Sequence, residues 1–142
     1  MGASGVKNFQ SDEGMDFEDE FLENPFPNTV VYALLLVTRD YISGKHFEIE
    51  PYEQHDQCCA ALAAAEVVAA ARSKPSSDFP KSLQPIIENL VLGLDIRTRK
   101  LARQAVRNVL KKSELRSLWA ETGEERLNEW EAVQKDLLVR LK

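Results

Sequence analysis

The chain is poor in cysteine, in long apolar runs and, over its first half, in positive charge. Two cysteines stand among 142 residues, adjacent as Cys58 and Cys59. A disulfide between neighbours is strained, so the pair reads as two reduced thiols in a reducing compartment. The longest apolar run, Val30 to Val37, is eight residues, whereas a membrane helix needs about 20. A secretory leader needs a basic start and an apolar stretch. The first 24 residues instead hold one lysine and seven acids. The opening MGASGV has Val6 where a myristoylation signal has Ser or Thr. These absences lead to the expectation of a cytoplasmic protein with no membrane contact.

What is present is globular in character. Apolar residues make up 44% and charged residues 29%, which argues against wholesale disorder, and the length suits one core. The net charge of −5 is unevenly spread: residues 1–71 carry 13 acids and 3 bases, residues 72–142 carry 10 acids and 15 bases. Such halves attract each other within a fold or present opposite faces to partners. A nucleic-acid binder is typically basic overall, so nucleic acid is disfavoured.

Periodicity and punctuation predict helices throughout. Ser11 or Asp12 caps the first, where Phe17 and Phe21 share a face, and Asn24-Pro25-Phe26-Pro27 stops it. Asn28 or Thr29 caps a second helix to about Ser43, with Gly44 as its stop. TVVYALLLVT has strand propensity, but no second segment of that quality exists to pair with it. Pro51 opens a third helix that reads CCAALAAAEVVAAARS and ends before Pro75. Pro85 opens a short one with Ile86, Ile87, Leu90 and Val91 inward and Gly93 at its end. Asp95 caps the next, to about Lys112, and Ser113 caps another with Leu115, Leu118 and Trp119. After Gly123 the last helix, about Glu124 to Leu141, buries Leu127, Trp130, Val133, Leu137 and Leu141. The expectation is an all-α, single-domain bundle of about six to seven helices spanning 1–142. It has an irregular N-terminal segment at 1–10, anchored by Phe9, and an exposed loop at 73–81.

The opening GASGVKNFQSDEGMDF, the segment ALAAAEVVAA at 61–70, and LRSLWAET at 115–122 before a C-terminal amphipathic helix together resemble a small bacterial family, domain of unknown function 4259. The resemblance runs nearly the full length, although Ser4 stands where the family often has tryptophan. It implies no activity and no catalytic residues. It does imply that the first ten residues belong to the domain.

Candidate chemistry then rests on particular residues. Glu66 is the only charged side chain between Cys58 and Ala71, on a helix apolar around most of its circumference. A carboxylate there must be paired or hydrogen-bonded. An ion pair with an arginine of the basic helix is expected, ahead of a solvent-facing Glu66 or a catalytic acid or base. The stretch HFEIEPYEQHDQCC holds His46, Glu48, Glu50, Glu53, His55, Asp56, Cys58 and Cys59. His55 and Cys59 are one helical turn apart, but the spacing matches no standard zinc pattern. An acidic helix N-terminus with buried thiols is expected, with no metal and no cofactor. In DIRTRKLARQAVRNVLKK, the cations Arg99, Lys100, Arg103, Arg107 and Lys111 line one arc. They read as a solvated face partly neutralised by the acidic N-terminal helix.

Asp12, Asp16, Glu18, Asp19 and Glu20 fit no calcium loop, because the glycine comes too early for one. They suit an exposed acidic face that steers a basic partner. Two function classes follow. The first is a non-enzymatic protein-binding module, such as an immunity or inhibitor protein masking a basic toxin through those acids. The second is a small enzyme or metal-binding protein centred on Glu66 and the His46–Cys59 cluster.

Overall fold

The computed structural model describes residues 5–43, 51–90 and 94–142, with side chains described for 5–38, 54–90 and 94–142. Gly44, His46, Glu48, Glu50, Val91, Gly93 and the side chain of Glu53 lie outside that description. The described residues form seven α-helices in order: α1 (Asp12–Glu23), α2 (Pro27–Ser43), α3 (Pro51–Ala71), α4 (Gln84–Leu90), α5 (Ile96–Lys111), α6 (Glu114–Glu121) and α7 (Glu124–Arg140). A 3-10 turn, Lys81–Leu83, leads into α4. The described residues contain no strand. The protein is an all-α bundle, as the missing strand partner required.

Local sequence sets most of the helix ends. Ser11 caps α1 by accepting from the Gly14 amide at 2.9 Å. Asp95 caps α5 by accepting from the Arg97 and Thr98 amides at 3.0 and 3.1 Å. These backbone bonds, that to Thr98 foremost, hold the Asp95 carboxyl below its usual range. Ser113 caps α6 through the Arg116 amide at 3.0 Å. Gly123 has φ of 117°, a left-handed conformation costly to any side chain, and it turns the chain into α7. The start of α2 differs from expectation. The helix begins at Pro27 rather than after Asn28 or Thr29, because proline lacks only an amide that the first turn would leave unbonded. Thr29 uses its hydroxyl to bind the Asn24 carbonyl at 2.8 Å.

Apolar patterning determines the layering. In α2, Val30, Ala33 and Leu34 are buried while Tyr32 points outward at 65% exposure, a helical period rather than an alternating one. Helix α3 is buried on nearly every side from Cys58 to Ala69. It packs against α1, α2, α4, α5, α6 and α7 and is the axis of the bundle. Its alanines let those neighbours approach closely, so a bulky substitution at Ala64, fully buried, would cost about 1–3 kcal/mol in overpacking. Phe9 is buried and meets Phe79 edge-to-face, centroids 5.6 Å apart. The N-terminal segment is thereby pinned to the loop between α3 and α4, whose Phe79 is buried although Arg72 to Pro75 are exposed.

Candidate functional site

His55, Cys59, Leu62 and Glu66 are spaced by four, three and four residues, so they share one face of α3. That face carries two polar clusters.

The upper cluster is centred on Glu66, 2% exposed. Arg140 of α7 grips it with two nitrogens, Nη1 to Oε1 at 2.8 Å and Nη2 to Oε2 at 3.3 Å. Asn8 donates to the same Oε2 at 3.0 Å. Asn8 and Gln134 exchange a pair of amide bonds, at 3.1 and 2.9 Å. Arg140 is held in turn by Asp136 at 2.8 Å and by the Lys74 carbonyl at 3.1 Å. Burial works against the Arg140 cation, but the Glu66 and then the Asp136 carboxylates outweigh it and raise its pKa. The expected ion pair of Glu66 exists, but its arginine comes from the C-terminal helix α7 and not from the basic helix α5. Glu66 accepts three hydrogen bonds, two of them from Arg140, which suits a structural tie.

Gly14 explains how the N-terminal segment reaches this cluster. A Cβ at Gly14 would lie 2.2 Å from the Asn8 carbonyl oxygen. The glycine lets the backbone of residue 8 close onto α1, which aims the Asn8 side chain at Glu66.

The lower cluster gathers Glu13 of α1 with His55 and Cys59 of α3, one potential ligand atom from each lying within 4.8 Å of the others. The Cys59 Sγ is 3.8 Å from His55 Nε2. Oxygens of Asp56 and Glu13 lie 3.4 and 3.5 Å from His55 Nδ1. Burial first, then the nearby Glu13 carboxylate, pushes the Cys59 thiol up. Cys58 turns to the α6 side, where burial lifts its thiol to about 12 against bonds from Leu115 and Ser113. Both are free thiols, and neither is a thiolate at neutral pH. A cavity of about 20 Å³, room for about one water, adjoins both clusters. Leu62, Leu115, Trp119 and Trp130 wall it, and Gly5 to Asn8 run along it.

Of the acids proposed for partner binding, Asp12, Asp16, Asp19 and Glu20 are exposed and Glu18 is half-buried, accepting from Ser82 Oγ at 2.9 Å. The buried side of α1 is Gly14, Phe17 and Phe21. Among the described residues no lysine or arginine forms an ion pair with these acids, and α5 packs chiefly on α2, α3 and α7. The expected neutralisation of the basic helix by α1 is therefore absent from the described ion pairs. Arg99 of α5 instead binds the Lys142 carbonyl at 2.7 Å.

Four site residues escaped sequence reasoning: Asn8, Glu13, Gln134 and Arg140. Gln134 left a signal. It stands four after Trp130 and three before Leu137, a polar side chain on an apolar stripe. The structure buries Gln134 there, and Val133 is only half-buried. Asn8 and Arg140 left none, because their partners lie 58 and 74 residues away.

The family profile described as domain of unknown function (DUF4259) matches residues 2–133. No curated protein and no solved structure matches the chain.

Proposed function

The chain belongs to the DUF4259 family, and on that premise we propose that it is a non-enzymatic protein-binding module of the immunity or inhibitor kind, masking a basic toxin with the outward face of α1. One observation carries the reading. Asp12, Asp16, Asp19 and Glu23 form an exposed stripe opposite the buried phenylalanines, with Glu20 on one shoulder. Met15 and Leu22, 44% and 39% exposed, form the other shoulder. Phe26 in the following link and Tyr32 on α2 add exposed apolar area, at 59% and 65%. Acids accelerate encounter with a basic partner, and apolar anchors supply most of the affinity once water is excluded. The bidentate ion pair of Glu66 with Arg140 weighs against the enzyme alternative centred on that residue.

The test is affinity capture from the native host with the wild-type chain and with Asp12→Lys/Asp16→Lys/Asp19→Lys, at low and high salt. A basic protein retained by the wild type and lost from the variant is the expected result. Capture indifferent to charge reversal would sink the reading.

A further inference from the structure

We propose that Glu13, His55 and Cys59 form a binding site for a divalent transition-metal cation of the zinc class, with its open position turned toward the adjoining cavity. The three side chains offer one carboxylate, one imidazole and one thiol within 4.8 Å of each other. In a tetrahedral zinc site, with Zn–S of about 2.3 Å and Zn–N of about 2.0–2.1 Å, adjacent ligand atoms stand roughly 3.5 Å apart. The Sγ to Nε2 distance of 3.8 Å needs only a small contraction to reach it.

The surroundings suit a cation in three further ways. With Nε2 on the metal, Glu13 must swing from its place 3.5 Å from His55 Nδ1, and Nδ1 is then left to donate to the carboxylate of Asp56, 3.4 Å away, the outer-shell contact that orients a ligating imidazole. A thiolate and a carboxylate together neutralise a doubly charged ion, which makes its partial burial tolerable. The adjoining cavity has room for about one water, so three protein ligands and a water complete four-coordination. Thiolate and imidazole favour zinc over magnesium or calcium. On binding, the Cys59 thiol releases its proton to solvent as the sulfur–metal bond forms.

The same surroundings disfavour the rival use of these residues, a cysteine nucleophile activated by His55. Reactive thiols sit in electropositive places, and Cys59 instead has the Glu13 and Asp56 carboxylates nearby. Negative potential suppresses a free thiolate and attracts a cation. The site lies apart from the exposed α1 stripe, because Glu13 is the half-buried residue of the first turn.

Cobalt(II) titration of the metal-stripped full chain tests the proposal. The expected result is one Co²⁺ per chain, a thiolate charge-transfer band, visible bands of tetrahedral intensity, proton release, and loss of the spectrum when Zn²⁺ is added. Cys59→Ser and His55→Gln should abolish the charge-transfer band, and Cys58→Ser should keep it. Glu13→Gln should weaken Co²⁺ binding by about 10–100-fold. Circular dichroism checks that each variant folds, and the wild-type titration decides the matter if one does not. Absence of the thiolate band in the wild type, or its persistence in folded Cys59→Ser, would overturn the site.

Discussion

Two clusters on one face of α3 draw on the same chemical vocabulary and solve burial differently. Around Glu66 each charge meets an opposite charge or an amide in direct contact: Arg140 bidentate, then Asn8, then Gln134 behind it. Around Cys59 the groups converge without closing, with sulfur 3.8 Å from the imidazole and two carboxylate oxygens near the other ring nitrogen. The first arrangement is complete as it stands and ties the two ends of the chain to the central helix. The second gathers two carboxylates and a proton-bearing thiol around one imidazole. A completed buried network rigidifies, whereas an incomplete one invites a ligand.

The largest way to break the contrast is Arg140→Leu. It leaves Glu66 buried without its counter-charge, and urea unfolding should show a loss of about 3–5 kcal/mol. Glu66→Leu/Arg140→Leu should recover much of that loss, because removing both partners removes the uncompensated charge. If the double variant is no better than the single, Glu66 does not depend on Arg140. Next comes completion of the lower cluster. At a free Zn²⁺ level about 100-fold above Kd, thermal or urea unfolding should gain about 2.7 kcal/mol, and Cys59→Ser should gain nothing.

Gly14→Ala probes the link between the clusters. The new methyl meets the Asn8 carbonyl backbone, so the N-terminal segment must lift from Glu66, at a cost of about 1–3 kcal/mol. Unchanged stability would mean the helix tolerates the shift. The smallest effect separates the two thiols by pH. Cys58 titrates near an ordinary 9.0 when unfolded and near 12 when folded. A raised folded value means that stability is full below pH 9 and falls as pH climbs toward 12. At pH 10 the loss is about 1 kcal/mol per thiol, and Cys58→Ala should flatten the slope. Zn²⁺ should flatten it independently, because metal-bound Cys59 has no proton left to lose.

Much of the fold was legible because its signals are local. Ser11, Asp95 and Ser113 sit as caps beside the helices they start, and α3 announced its central place by lacking a polar face. Glu66 was legible as a buried charge that needs a partner. The partner was not: α5 has more cations, yet Arg140 of α7 reaches Glu66. Likewise His55 and Cys59 were visible as neighbours one turn apart, but Glu13 belongs to another helix and joins them only when α1 packs on α3.

The sequence by itself determined an all-α chain, its principal helix boundaries, the two reduced thiols and the acidic character of α1. These depend on neighbours within a few residues, where backbone geometry leaves little choice. Tertiary structure alone decided which arginine answers Glu66, that Asn8 closes over Gly14 to reach it, and that a third ligand-type side chain meets His55 and Cys59. Those facts depend on contacts up to 126 residues apart in the chain, and only helix packing sets such distances.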